Sequence, residues 1–360
     1  MTARGPDPEL SPGAGQSPDP ELRPEPELAP DIGAQPEALQ VRVDTGDRIA
    51  FLDWGGPTFG PQPDLPVLPP LLLVHGLSRT GWSWTPIARR LRNLTRVIAP
   101  DLRGHGGSES PRQGYDLDSL AFDMLTVLTA CGFGPDAPDA DGGGGGGEAG
   151  RAGGGGRPAV VAGHGFGALV AATMATLRPE AVAGLALLDA GWERAEDQTG
   201  MNATGFLRTV QEPPEVLRSM EAYLADRREW DPATWDADQE EAARAAVDEK
   251  YQGRVVPVVR RWALAGCVEA MFAYQPAATL TGYGGGPLIA IAEPGGADDD
   301  EARERRVALD EQLALRGAAG LAAARVVRFR GVGHDLMRYR PDELAGELLR
   351  LLRSVAGRAG

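Results

Sequence analysis

The sequence predicts an α/β protein built on a mostly parallel eight-stranded sheet, with helices on both faces and a helical insertion. Three observations support this: strand-like and helix-like segments alternate from residue 39 to the C-terminus, one sharp glycine-rich turn joins a strand to a helix, and one long stretch lacks strand signals. The expected strands are residues 39–43, 48–53, 71–74, 96–98, 158–162, 185–188, 288–292 and 325–329. The expected helices are residues 84–94, 118–129, 168–177, 301–315 and 341–354.

Two segments stand apart from this core, which we expect to comprise residues 39–190 and 284–360. Residues 1–38 repeat a Pro-acid-Pro-Glu-Leu theme and contain too few apolar side chains to offset the entropy of ordering, so we expect a disordered tail. Residues 142–156 are mostly glycine, and they join a helix to a strand at the sheet edge that carries no site. We expect a flexible insertion there.

Composition excludes several classes of function. The net charge of −15 would repel nucleic acid and an anionic membrane surface. Lys250 is the single lysine, which argues against Schiff-base chemistry and a phosphate-binding P-loop. Cys131 and Cys267 are too far apart to indicate a disulfide framework or a metal site. With neither a secretory signal nor a membrane-spanning apolar run, we expect a cytoplasmic protein.

The most informative motif is Gly163-His164-Gly165-Phe166-Gly167, which follows an apolar strand and opens a helix. This is the frame of a nucleophile elbow, in which the central side chain projects from the carboxyl edge of the sheet. Here the central residue is glycine, so the nucleophile is missing. Taken alone, Gly165 could equally be a turn glycine chosen for its backbone freedom.

The four histidines place this elbow in a wider pattern. His75 precedes Gly76 after an apolar run, His105 lies in Asp-Leu-Arg-Gly-His-Gly-Gly-Ser at residues 101–108, His164 lies in the elbow, and His334 lies in a late Gly-His-Asp. In this order the motifs resemble the α/β-hydrolase superfamily of esterases and lipases, over roughly residue 39 to the C-terminus. The ordered set is far more specific than any one motif.

The resemblance assigns roles to individual residues. It implies that Gly165 is the vacant nucleophile position and that His334 is the base, oriented by either Asp298 or Asp189, which we rank evenly. The backbone amides of Leu77 and Phe166 are then the oxyanion donors. No metal and no cofactor are implied.

The resemblance also interprets residues 191–283 as a helical cap over the site. Trp192, Met271 and Phe272 lie in this stretch and are candidates to line an apolar pocket for a small apolar molecule. The alternative is that these side chains simply pack the insertion.

Several functions remain open at this point. The protein is hydrolase-like with weak, altered or lost ester hydrolysis, or His334 acts as a general base without a covalent nucleophile, or the protein binds a small molecule without catalysis. Gly165 could also stand where the native protein has serine, since one base change separates some of their codons. A dinucleotide-binding oxidoreductase is a further alternative, because residues 163–168 fit Gly-x-Gly-x-x-Ala and Asp189 follows about 20 residues on; however, that fingerprint normally opens the first βα unit.

Overall fold

A computed structural model describes residues 28–57, 67–137, 156–250, 253–292, 300–329 and 332–358. Within these ranges one large sheet has eight strands in the order β1-β2-β4-β3-β5-β6-β9-β10, and a second sheet pairs β7 with β8. The strands are β1 Glu37–Arg42, β2 Arg48–Asp53, β3 Leu71–Val74, β4 Val97–Pro100, β5 Ala159–His164, β6 Val182–Leu188, β7 Val247–Glu249, β8 Val255–Pro257, β9 Leu288–Ala292 and β10 Arg325–Arg328. The predicted fold class is therefore confirmed.

Strand direction follows from the connections. β1 and β2 form an antiparallel hairpin whose turn contains Gly46 at φ +89°, a conformation that favours glycine. β2 also runs antiparallel to β4, whereas β4, β3, β5, β6, β9 and β10 are mutually parallel. The carboxyl ends of the parallel strands consequently meet at one edge of the sheet.

Helices cover both faces of this sheet and form most of the insertion between β6 and β9. They are α1 Thr85–Leu91, α2 Leu117–Ala130, α3 Phe166–Leu177, α4 Ala195–Thr199, α5 Ala203–Thr209, α6 Met220–Trp230, α7 Ala237–Ala245, α8 Arg261–Ala273, α9 Pro276–Gly282, α10 Asp300–Ala318, α11 Leu336–Tyr339 and α12 Pro341–Ala356. Alternate residues of β3 serve opposite sides: Leu72 packs in the core with α2 and α3, while Leu73 packs in the core with α1 and α12. A strand buried on both faces reads as a continuous apolar run, which is what residues 71–74 show.

The insertion between β6 and β9 is mostly helical, but it is not free of strands. β7 and β8 form a short antiparallel pair in which Val247 lies opposite Pro257. We expected no strand here, and that expectation was wrong. Three-residue strands carry too little alternation to be recognised, and β7 ends on two acidic residues.

Part of the segment predicted to be a disordered tail is ordered, and the prediction is wrong for residues 31–38. Disorder was predicted through residue 38, yet Asp31 forms an ion pair with Arg92 at 2.5 Å, Ala34 is buried and β1 begins at Glu37. These contacts, which include one with a residue distant in sequence, outweigh the polar composition. Residues 1–27 and most of the glycine-rich stretch 142–156 lie outside the described residues.

Over the described ranges, none of the helices combines the length and apolar character needed to cross a bilayer. The same residues contain no cluster of three or more His, Cys, Asp or Glu suited to a metal ion.

Candidate active site

Gly165 is the only residue between β5 and α3, and it makes the turn between them. Its φ of 53° and ψ of −122° lie outside the conformations that side-chain-bearing residues prefer. Its N–H donates to the Leu188 carbonyl at 3.0 Å, and its own carbonyl accepts from Ala168 at 2.9 Å. The turn is therefore held by backbone bonds at the carboxyl edge of the sheet.

The two flanking glycines are required by close packing. A Cβ on Gly163 would lie 2.2 Å from the Gly167 carbonyl oxygen, and a Cβ on Gly167 would lie 2.3 Å from the Val74 carbonyl oxygen. Both distances are too short for any side chain. The spacing of glycines in the motif thus records how tightly α3 approaches β3 and β5.

His334 lies directly opposite Gly165, although 169 residues separate them in the sequence. A Cβ on Gly165 would lie 3.1 Å from His334 Nε2 and 3.3 Å from His334 Cε1. The imidazole therefore occupies the position from which a base would serve a side chain at residue 165. About half of the His334 side chain, 54%, remains exposed.

Asp189 is the carboxylate that reaches His334 among the described residues. Its Oδ2 accepts a hydrogen bond from His334 Nδ1, which leaves Nε2 facing Gly165. Asp189 directly follows β6, has a φ of +54° and keeps only 3% of its side chain exposed. Asp298, the other candidate, lies outside the described residues.

The pair shifts both pKa values. Burial works to raise the pKa of Asp189, but the hydrogen bond from His334 and the charge of Arg305 outweigh it and hold this pKa below its usual range. For His334, partial loss of hydration works to lower the pKa, yet the hydrogen bond to Asp189 and the Asp189 charge raise it overall. The ionised carboxylate and a readily protonated imidazole are the state expected of a general base and its partner.

Arg305 is a site residue that the sequence did not indicate. It comes from α10 and forms an ion pair with Asp189 Oδ1 at 2.7 Å. It also pairs with Glu193 at 3.1 Å. Nothing in the charged sequence of α10 distinguishes this arginine from its neighbours, so only the packing reveals it.

The other three histidines form hydrogen bonds around the site. His164 donates from Nε2 to the His334 carbonyl at 2.9 Å, and the two rings lie 4.3 Å apart. His75 accepts from the Leu102 amide and His105 from the Ser78 amide, and burial lowers the pKa of each of these three histidines. In the neutral state, they connect neighbouring segments of the chain through these hydrogen bonds.

Leu77 and Phe166, the expected oxyanion donors, both line the cavity beside Gly165. Phe166 is the first residue of α3, where an amide has no partner within its own helix. Across the part of the chain that the structure describes, neither amide donates to a protein acceptor. Both N–H groups are thus free to bind an oxygen of a ligand.

A cavity of about 480 Å³ opens above this constellation, between the sheet edge and the insertion. Its apolar lining includes Leu77, Phe166, Leu169, Phe206, Val210 and Met271, and its polar lining includes Arg79, Glu212, Arg227, Gln239 and Arg338. The volume suits a small molecule, and the apolar side chains suit one with a substantial apolar part.

Of the three expected pocket residues, only Met271 lines this cavity. Phe272 instead packs into an apolar cluster with Ala195, Leu264 and Val268, because the following position on α8 faces away from the site. Trp192 is fully buried beside the Arg305 guanidinium, which lies 5.5 Å from the ring centroid. The expectation that Phe272 and Trp192 line the pocket was wrong.

The chain belongs to the alpha/beta hydrolase family, whose sequence model matches residues 71–347. The matched region covers the His75 loop, the elbow, the insertion and His334.

Similarity to particular proteins is more limited. A soluble epoxide hydrolase of Corynebacterium sp. is 38% identical over 64 residues, or 18% of this chain and 22% of that protein. Human epoxide hydrolase 4 is 29% identical over 123 residues, which is 34% of this chain and 28% of the relative. Lipase LipV of Mycobacterium tuberculosis is 28% identical over 189 residues, or 51% and 61%. The chain thus aligns with only about a quarter of the length of the two epoxide hydrolases.

The fold is shared much more widely than the sequence. The crystal structure of E-2-(acetamidomethylene)succinate hydrolase matches with a TM-score of 0.66 at 18% identity, over 88% of this chain and 100% of that one. The epoxide hydrolase CorEH matches with a TM-score of 0.56 at 18% identity, over 88% and 98%. These likenesses establish the fold alone.

Proposed function

We propose that this protein is a hydrolase without a covalent nucleophile, in which the His334–Asp189 pair acts as general base on a small, largely apolar ester. The observation that carries the proposal is the orientation of His334, whose Nε2 faces Gly165 and the cavity while Nδ1 is held by Asp189. A protein that merely bound a ligand would have no chemical need for this dyad.

The reaction follows from these positions. His334 Nε2 takes a proton from a water molecule, and the resulting hydroxide adds to the ester carbonyl carbon. The Leu77 and Phe166 amides stabilise the oxyanion that forms. When the intermediate collapses, the carbon–oxygen bond to the leaving alkoxide breaks and His334 returns the proton to that alkoxide.

The missing side chain sets the expected rate. Removing the serine of a hydrolase triad costs on the order of 10⁶ in turnover and leaves roughly 10³ to 10⁴ over the uncatalysed reaction. We therefore expect slow turnover. The names of the relatives justify testing epoxides beside esters.

A pH profile tests the general base. Only neutral imidazole accepts a proton, so kcat/KM should rise with pH through a midpoint above 6.5, because the pKa of His334 is raised from that value. His334→Ala should remove this pH dependence together with most of the activity. His105→Ala, which removes the acceptor of the Ser78 amide, is the control for damage to the loops and should keep the pH dependence.

Non-catalytic binding is the second candidate, and the glycine at the nucleophile position favours it. If wild-type protein hydrolyses no ester or epoxide faster than His334→Ala, while both bind the same apolar ligand in calorimetry, binding is the function and catalysis is not.

A further inference from the structure

We propose that Arg305, a positioning residue that acts only through Asp189, neutralises part of the Asp189 charge that faces His334 and thereby sets the pH at which the imidazole loses its proton. The inference rests on the proposed function of the same site. It gives α10, a helix outside the β5–α3 turn, a role in controlling the base His334.

The contacts of Arg305 are unusually complete for a side chain that never reaches the cavity. Nη1 lies 2.7 Å from Asp189 Oδ1, and Nη2 donates to the Asp189 carbonyl at 3.1 Å. Nε donates to Glu193 at 3.1 Å, and the guanidinium lies against the Trp192 ring. Arg305 therefore binds both the side chain and the backbone of Asp189.

These contacts matter because Asp189 combines an unfavourable backbone conformation with a buried carboxylate. The residue sits at φ +54°, in the left-handed region, and its side chain is 3% exposed. A buried carboxylate in such a place stays ionised only if other groups compensate the lost hydration. His334 does so at Oδ2 and Arg305 does so at Oδ1.

Arg305 also links two parts of the sheet edge. Asp189 follows β6, whereas Arg305 lies on α10, the helix after β9. The helix therefore contributes a cation to the site, and the acid comes from the neighbouring strand.

Several titratable groups surround the imidazole and affect its protonation. Asp189 faces it from the end of β6, His164 from β5, Arg79 from the loop after β3 and Asp335 from its own loop. Glu193 faces Arg305 from the loop after β6. Among the described residues, Arg305 is the cation paired with Asp189, so its removal acts on His334 through that carboxylate, whereas the Arg79 charge acts on the imidazole itself.

The sign of the effect follows from this arrangement. Without the Arg305 cation, the Asp189 charge is no longer shared, so it stabilises imidazolium more strongly and the pKa of His334 rises. We expect Arg305→Met to raise it by about half a pH unit or more, and Arg305→Lys, which keeps the charge, to stay near wild type.

The experiment is an NMR titration of full-length protein labelled at histidine, with the His334 signal assigned from a His334→Gln variant. Arg306→Met, on the same helix but without an ion pair to Asp189 among the described residues, is the matched control and should leave the titration unchanged. An unaltered or lowered His334 pKa in folded Arg305→Met overturns the proposal.

A second variant guards against failure to fold, since Arg305→Met leaves two acids without this cation. Glu193→Gln keeps Arg305 and removes a negative charge beside it, so the pKa of His334 should fall; no change or a rise contradicts the proposal. Because the titration needs no substrate, a protein with the expected shifts but no hydrolysis would refute the proposed function and retain the role of Arg305.

Discussion

The glycine at position 165 is the residue on which the proposed chemistry depends. A Cβ there would lie 3.1 Å from His334 Nε2, so the ring must retreat by a few tenths of an ångström to admit a side chain. His334 is half exposed toward the cavity and has room to do so. The backbone of the turn already has the conformation in which a nucleophile would project toward the base.

Gly165→Ser should therefore convert the site into a nucleophilic esterase. The base, its carboxylate and two free amides are in place, so we expect turnover of short p-nitrophenyl esters to rise at least about 10²-fold and a fluorophosphonate probe to label the protein. Rates before and after the change, with mass spectrometry of the labelled peptide, measure this.

Gly165→Ala is the matched control, since it imposes the same backbone strain and the same Cβ without a hydroxyl. It should remain unlabelled. A folded Gly165→Ser protein that stays as inert as Gly165→Ala would show that the remaining groups do not form a working triad frame.

Among the elements, the β5–α3 unit depends on a very close approach between the backbones of α3 and β3. Gly167 lies at the start of α3 with its Cα pressed against the end of β3, where a Cβ would meet the Val74 and His75 carbonyls at 2.3 and 2.4 Å. No side-chain rotation relieves a contact with backbone. Separating α3 from β3 would move both the turn at Gly165 and the loop at Leu77.

Gly167→Ala should lower the free energy of unfolding by at least about 2 kcal/mol, because the added methyl overpacks a rigid contact. Gly317→Ala, on α10 with nothing within 4 Å of its Cβ position, should instead be neutral or stabilising by up to about 1 kcal/mol. Urea denaturation of both variants measures the difference, and equal midpoints would contradict the packing argument.

For the whole molecule, the decisive relation is between the insertion and the sheet. Asp238 of α7 forms an ion pair at 2.5 Å with Arg89 of α1, and both side chains are largely buried. Arg338 of α11 donates to Thr234 and to the Asp231 carbonyl, both in the insertion. These bonds hold the insertion over the cavity that His334 lines.

Asp238→Asn should loosen the contact between the insertion and α1 without unfolding the sheet. Losing a charge-assisted bond in a buried place should speed hydrogen exchange of residues 237–245 by about tenfold or more. Glu240→Gln breaks an exposed pair within α7 and should change exchange by less than about threefold. Similar effects of the two variants, or faster exchange throughout the sheet, would argue against local opening.

Much of the fold was predictable because it rests on local patterns. Strands β2, β3 and β9 begin and end where their apolar patterns do, and the glycine spacing identified the turn before α3. The β7–β8 pair escaped prediction because three residues are too few to establish a period. The ordered residues after 27 escaped it because their anchors, such as Arg92, lie far along the chain.

By itself, the sequence determined the order along the chain of the eight strands of the large sheet and identified Gly165 and His334 as candidate site residues, since each depends on patterns in neighbouring residues. Only the tertiary structure decided that Asp189 reaches His334, that Arg305 stands behind it, and that Met271 rather than Phe272 or Trp192 faces the cavity. The physical reason is that these contacts join strand ends and helices far apart in the chain. Their choice depends on the side to which each side chain points, which no local pattern records.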